Sequence, residues 1–341
     1  MYPNNQNYHF MDDRIPNTPP LITPVDRHTA RPLWSVMIPA YNCSKYLGDA
    51  IQSVLVQDQG PVRMQIEVVD DHSTDADIEA LVKDIGKGRV GLFRKEKNMG
   101  SLRNFETCLN RSKGKWIHLL HGDDLVKPGF YQEIESLFGK FPEAGAAFTG
   151  YTDIDEDGKL LYGNKKILDQ PGIIDNWLLE IARSQKIQPP SIVVKRNVYE
   201  QLGGFFAVHY GEDWEMWARI AANFPVAHSP KQLALYRIHN NNITSRSFLS
   251  GQCITDINKV IDIIQEYLPE EERKNVKAHA KRHFSKYFAR MSDKIYHEHK
   301  HPEIAIAQAE RALRMDLNNT TLFFLVKMYI KRLIRYEHKN K

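Results

Sequence analysis

Cysteine is scarce: the 341 residues hold three, Cys43, Cys108 and Cys253, far apart and without CxxC spacing. That excludes a disulfide framework and a structural zinc site and fits a reducing compartment. Long apolar runs are missing as well. The best, Thr320 to Val326, stops at Lys327, short of the roughly 18 residues that a membrane span needs. The opening residues, MYPNNQNYHFMDDR, lack the apolar core of a secretory signal. A cytoplasmic protein is therefore expected, with peripheral contact at the inner face of a membrane left open. No GxGxxG or GxxxxGK(S/T) element follows the first predicted strand, which excludes a Rossmann dehydrogenase and a P-loop kinase.

Charge of one sign is not in excess either, with 46 Lys and Arg against 42 Asp and Glu, net +4. The distribution is uneven. Glu271 to Lys341 holds 17 basic and 8 acidic residues, net +9, which leaves −5 for the rest of the chain. Those lysines are dispersed among histidines and acids and form no dense stripe, so no nucleic-acid partner is expected. Residues 1–32 carry Pro3, Pro16, Pro19, Pro20, Pro24 and Pro32 among polar residues. Such a segment buries too little apolar area to offset ordering entropy and reads as a disordered leader.

From Trp34 the pattern becomes periodic. An apolar run ending at Pro39 is followed by Leu47, Ile51, Val54 and Leu55 at helical spacing. A second run, Gln65–Val69, stops at Asp70-Asp71, and Ile78, Leu81, Val82 and Ile85 resume the helical period. Val90–Phe93 and Trp116–Leu120 read as further strands, with a helix over 105–109 between them. Strands alternating with helices predict a parallel α/β sheet with right-handed crossovers, whose ligands bind beyond the carboxyl ends of the strands. Asp155–Gly158 reads as a hairpin turn, and the α/β domain is expected to span 33–250. The stretch 251–341 is helical throughout. Within it Pro302–Asn318 is similar to the second helix of a tetratricopeptide repeat; a lone copy implies a helical hairpin rather than a solenoid.

Acidic pairs end two of the strands. Side chains alternate across a strand, so Asp123 and Asp124 point to different sides and can serve different ligands. Carboxylate oxygens are hard donors suited to Mg²⁺ or Mn²⁺, ions that share their shell with phosphate oxygens, so a metal diphosphate is a natural guest. Each acidic group also has a local role open to it. Asp123-Asp124 can cap the helix beginning near Phe130, Asp70-Asp71 the one near Ala76, and Asp213 can sit in a first helical turn before Trp214 and Trp217.

Taken in order, Ser35–Asn42 (SVMIPAYN), Val68–Asp75 (VVDDHSTD), Asn98–Gly100 (NMG), Leu119–Asp124 (LLHGDD) and Gly211–Trp214 (GEDW) resemble the inverting family 2 glycosyltransferases of GT-A fold over about residues 33–245. The resemblance implies a Rossmann-like nucleotide-sugar-binding sheet with helices on both faces, followed by a helical extension. It also implies that Pro39, Ala40 and Tyr41 frame the nucleotide base and that Asp71 hydrogen-bonds it. Asp123 and Asp124 match the DXD-type motif, Asp124 as the metal ligand and Asp123 facing the ribose or donor sugar. Asp213 matches the general base, and His239 a position near the diphosphate that assists the metal. Arg103 would touch the nucleotide, although the segment Asn98–Phe105 is shorter than the commoner family form.

A sugar transferase acting on a nucleoside-diphosphate sugar, with a UDP-sugar favoured and a saccharide or lipid-linked acceptor, is thus the leading expectation. It would serve cell-surface polysaccharide or glycoconjugate synthesis. Transfer to a polyprenyl phosphate is the enzymatic alternative. The apolar and basic segment 320–341 keeps membrane contact open, against a docked last helix. A nucleotide-sugar-binding protein without catalysis is the alternative from another class, opposed by the intact Asp71, Asp123, Asp124 and Asp213.

Overall fold

The computed structural model describes residues 14–26, 28, 30–239, 247–248, 250–298 and 301–334. The chain divides into two compact units, one of residues 1–177, 186–207 and 219–239, the other of 178–185, 208–218 and 240–341.

The first unit is built on β1 (Trp34–Ala40), β2 (Met64–Asp70), β3 (Gly91–Arg94), β4 (Trp116–Leu119), β5 (Leu125–Val126), β6 (Ala146–Ile154), β7 (Leu160–Gly163), β8 (Gly172–Ile173), β9 (Ile192–Lys195) and β10 (Val226–Arg237). The central order is β3-β2-β1-β4-β9-β6-β10-β5, with β7 on β6 and β8 on β10. Its helices are α1 (Ser44–Leu55), α2 (Ile78–Gly86), α3 (Ser101–Arg111) and α4 (Phe130–Lys140); later in the chain come α5 (Trp177–Arg183), which falls almost wholly in the second unit, α6 (Arg196–Leu202) in the first, and α7 (Glu212–Asn223), whose first half falls in the second. Val36, Ile38, Leu47, Ile51, Val54, Val68 and Ile78 share one core with Phe130, Ile134 and Leu137. The apolar periodicity of strand and helix thus closes on itself.

The wholly parallel sheet expected from the alternation holds only for β3-β2-β1-β4 and for β6 with β10. β9 lies between β4 and β6, antiparallel to both, and β5, β7 and β8 also pair antiparallel. These are strands of two to four residues, too short to carry a period. The turn at Asp155–Gly158 forms as expected, Gly158 N–H donating to the Asp155 carbonyl at 3.1 Å.

The disorder expected of residues 1–32 does not hold for the described part, while residues 1–13 lie outside the described residues. Ala207 N–H donates to the Pro16 carbonyl at 2.9 Å and Gly204 N–H to that of Pro20 at 2.8 Å. Arg196 donates to the Thr23 carbonyl at 2.8 Å, and Ile22 is buried. A proline-rich segment needs few donors of its own when a folded surface supplies them to its carbonyls. Gly203, at φ +79°, permits this approach, since a Cβ there would lie 2.8 Å from Pro19.

The second unit holds α8 (Gln252–Gln265), α9 (Glu270–Glu298), α10 (Pro302–Met315) and α11 (Asn319–Leu333). Ile257, Val260, Ile264, Val276, Phe284, Phe288, Ala305, Ala309 and Met328 are buried in it. Asn318 starts α11 with a capping box: its side chain accepts from Thr320 and Thr321 N–H while Thr321 Oγ1 accepts from Asn318 N–H. Helical structure alone does not delimit this unit, because 178–185 and 208–218 belong to it. Trp214, fully buried, packs on Phe284 with ring centroids 4.7 Å apart, and Tyr267 OH donates to Glu215 Oε1 at 2.5 Å. No helix among the described residues is long and apolar enough to cross a membrane.

Candidate active site

The chain leaves β4 at Leu119 and turns through His121–Asp124 before β5. Gly122 allows the turn to lie on the end of β1: its N–H donates to the Pro39 carbonyl at 3.2 Å, and a Cβ would lie 2.7 Å from Cys43 Sγ. His121, Asp123 and Asp124 each bring one donor atom within 4.8 Å of the others. Asp124 is 1% exposed; its Oδ1 accepts from Arg237 N–H at 2.8 Å, whereas Oδ2 is buried without a hydrogen-bond partner among the described residues. A buried carboxylate oxygen left in that state costs free energy unless a ligand completes it. A hard divalent cation fits this donor set of two carboxylates and an imidazole.

Protonation follows the surroundings. Burial first, and then the charge of Asp123, push the Asp124 carboxyl well above the usual carboxylate range. Burial acts on Asp123 in the same direction, but the hydrogen bond from His239 and the fields of His121 and His239 hold it below that range. Burial lowers the His121 imidazole, opposed by Asp123. Asp153 on β6, pushed up to about 6 by burial, adds a further carboxyl whose charge acts on Asp124.

Arg237, at the end of β10, binds this turn together, and nothing in the sequence singled it out. Only 3% exposed, it donates Nε–H to the Asp123 carbonyl at 2.9 Å and Nη1 to those of Asp155 and Glu156 at 3.3 and 3.1 Å. Its guanidinium carbon lies 4.6 Å from the centre of the Tyr46 ring. His239, expected near the metal, donates Nε2–H to Asp123 Oδ2 at 2.9 Å and sits outside the convergent trio. His121 takes the place in that trio; its presence beside Gly122-Asp123-Asp124 was the available signal, unread because one histidine on a loop carries little information.

The expected nucleotide frame is brought together at the ends of β1 and β2. Asp71 N–H donates to the Ala40 carbonyl at 2.9 Å, Pro39 and Ala40 are buried, and Tyr41 is 44% exposed. The Asp71 carboxylate is already engaged. It accepts from Asn98 Nδ2 at 2.8 Å, from Met99 N–H at 2.9 Å and from Gly100 N–H at 2.8 Å, with Lys95 Nζ at 3.3 Å. It therefore clamps the loop that opens α3, in the place a helix N-terminus favours for an anion. Neither Asp70 nor Asp71 caps α2; Asp77 does, accepting from Ala80 N–H at 3.0 Å. Asp123 and Asp124 cap nothing either, as Gly129 precedes α4 without a side-chain cap. Arg103, in the first turn of α3, pairs with Glu106 at 2.7 Å.

Asp213 belongs to the second unit, in the first turn of α7. Its Oδ1 accepts from Trp214 N–H at 2.7 Å and its Oδ2 from Gln185 Nε2 at 2.8 Å. Burial pushes the carboxyl up to about 6 against those hydrogen bonds. Glu212 is driven well above the usual range by burial and then by Asp213. The approach to α7 is fixed from α8, where Asp256 Oδ2 accepts from His209 and Tyr210 N–H at 3.2 and 3.1 Å.

Residues 35–167 match the family model described as Glycosyl transferase family 2. The putative teichuronic acid biosynthesis glycosyltransferase TuaG of Bacillus subtilis is 27% identical over 236 residues, 65% of this chain and 85% of the relative. An uncharacterised glycosyltransferase of Haemophilus influenzae is 25% identical over 223 residues, 63% of this chain and 68% of the relative. Among solved structures, S. aureus TarS 1–349 in complex with UDP-GlcNAc superposes with a TM-score of 0.63 at 16% identity, over 89% of this chain and 91% of that one.

Proposed function

We propose that this chain, a glycosyltransferase of family 2 with the GT-A fold, transfers a sugar from a nucleoside-diphosphate sugar to an acceptor hydroxyl with inversion. The acceptor is a saccharide or lipid-linked sugar, and the product a cell-surface polysaccharide or glycoconjugate, as the name of TuaG suggests for that relative. A UDP-sugar is the preferred donor, since a protein of the same fold binds UDP-GlcNAc.

The observation that carries the reading is Asp124 Oδ2, buried without a hydrogen-bond partner among the described residues, on a residue that converges with Asp123 and His121. Asp124 would hold Mg²⁺ or Mn²⁺ with His121 and Asp123, and His239 would orient Asp123 from behind, as outer partners of metal ligands do. Such an ion supplies charge stabilisation to the departing diphosphate. Pro39, Ala40 and Tyr41 frame the base, Tyr41 offering an exposed ring. Asp71 holds the 98–100 loop against it, and Arg103 stands in the first turn beyond that loop.

Asp213 takes the acceptor proton. As the acceptor oxygen forms its bond to the anomeric carbon, the bond from that carbon to the diphosphate oxygen breaks, the nucleoside diphosphate leaves with the electron pair, and the proton passes to the carboxylate. A carboxyl raised to about 6 is a better base than an ordinary aspartate and is still ionised at neutral pH.

Calorimetry of UDP, GDP and dTDP and their common sugar conjugates, with Mn²⁺ present or chelated, tests this. One nucleotide class binding only with metal is the expected result. Binding that is indifferent to chelation would remove the metal from the proposal, and no binding across the panel would remove the donor.

A further inference from the structure

The last helix leaves a wide apolar face uncovered. Leu322, Phe323, Val326, Tyr329, Ile330 and Leu333 of α11 are between 47% and 84% exposed. At about 100° per residue they fall on one stripe, while Thr321, Met328 and Lys331 are buried on the other side. A contiguous patch of this kind marks an interaction surface, because scattered single residues would not align along fifteen residues of helix.

Charge decides what covers it. Between Asp316 and Glu337 the chain has no acidic residue, and it carries Lys327, Lys331, Arg332 and Arg335. Lys327 borders the stripe on one side and Arg332, 56% exposed at its side chain, on the other. Acids of neighbouring helices reach the borders. Asp293 on α9 pairs with Lys327 at 2.7 Å and with Lys331 at 2.5 Å, Glu303 lies 3.7 Å from Arg332, and Glu310 accepts from Tyr329 OH at 2.6 Å. The 271–341 region still keeps its surplus of nine positive charges.

A second copy is a poor match for this face. An isologous contact sets a patch against itself, and this one would bring together two copies of a region that keeps nine net positive charges after its acids are counted. An anionic bilayer surface matches both features, accepting aromatic and aliphatic side chains below the headgroups and cations level with them.

We propose that α11 lies in the plane of an anionic membrane surface, with Leu322, Phe323, Val326, Tyr329, Ile330 and Leu333 inserted. This goes beyond the transfer reaction and stands whether or not that reaction does. Such docking holds the enzyme peripherally, without a span, at the surface where a lipid-linked acceptor would be found.

The test is flotation of the full chain with vesicles of equal parts phosphatidylglycerol and phosphatidylcholine, beside vesicles of phosphatidylcholine alone. The wild type is expected to float with the anionic vesicles. Its partitioning should fall about tenfold or more on phosphatidylcholine alone, and similarly for the triple variant Leu322→Ser/Phe323→Ser/Ile330→Ser on anionic vesicles. All three side chains are exposed, so the variant should keep the wild-type melting curve and its metal-dependent nucleotide binding. That readout separates failure of docking from failure of the transferase reading. Absence of wild-type flotation, a variant that floats undiminished, or equal partitioning into the uncharged vesicles would each overturn the proposal. So would a concentration-dependent dimer, seen by sedimentation without vesicle binding, that the triple variant abolishes.

Discussion

Two pairs of adjacent acids, Asp123-Asp124 in the first unit and Glu212-Asp213 in the second, have the same chemistry in the sequence and opposite settings in the fold. Around Asp123-Asp124 the surroundings split the pair: burial and the charge of Asp123 push Asp124 up, while against burial the hydrogen bond from His239 and the fields of His121 and His239 hold Asp123 down. Around Glu212-Asp213 the partners of Asp213 are neutral donors, Trp214 N–H and Gln185, and both carboxyls rise. The first setting suits a pair that awaits a cation. The second suits a group that takes and gives a proton near neutrality.

The largest expected break in this comparison is Asp124→Ala. Metal-dependent donor binding should be lost by about 100-fold or more in calorimetry, and Mn²⁺ should no longer raise the melting temperature. Retention of the Mn²⁺ shift would move the ligand elsewhere.

Asp213→Asn should leave donor affinity within about twofold while transfer falls by roughly 10² to 10⁴. For the wild type, transfer should fall about tenfold per pH unit below about 6, the value to which burial raises Asp213. An ordinary aspartate base would keep the rate flat another two units down. Stability runs the other way, because a raised carboxyl binds its proton more readily folded than unfolded, so its ionisation weakens the fold as pH rises through about 6. The Asn variant should therefore melt about 2–4 °C higher at pH 7.5, a gain that shrinks as pH falls toward the unfolded value near 3.8.

His239→Ala sharpens the comparison from the other side. It removes the partner 2.9 Å from Asp123 and should weaken Mn²⁺-dependent donor binding by about 10- to 100-fold without changing the pH limb set by Asp213. The smallest effect is expected of Arg103→Ala, about threefold on donor affinity, because its ion pair with Glu106 is partly exposed and little of its charge remains for a ligand. A loss larger than that of His239→Ala would make Arg103 a principal nucleotide contact.

Much of this was legible along the chain. β1, α1, β2 and α2 announce themselves by period, and the ordered segments SVMIPAYN, VVDDHSTD and LLHGDD carry a family likeness that the match over residues 35–167 bears out, while GEDW lies beyond that match. Legibility failed where a contact is distant in sequence and made by a residue with many other uses. Arg237 reaches the Asp123 carbonyl across 114 positions, His121 becomes a donor only once Gly122 folds the turn onto β1, and the apolar run that becomes β9 does not say that it will pair antiparallel with both of its neighbours. The proline-rich stretch misled because composition reports what a segment buries by itself, and residues 14–26 find their partners on the surface they cross.

The sequence by itself determined the class of chemistry, for residue types in a set order are a local property that spacing can carry. Only the tertiary structure decided which acids keep a proton and, among the described residues, which oxygen lacks a partner and which helix face stays exposed. Burial and the partners that offset it come from segments brought together by folding.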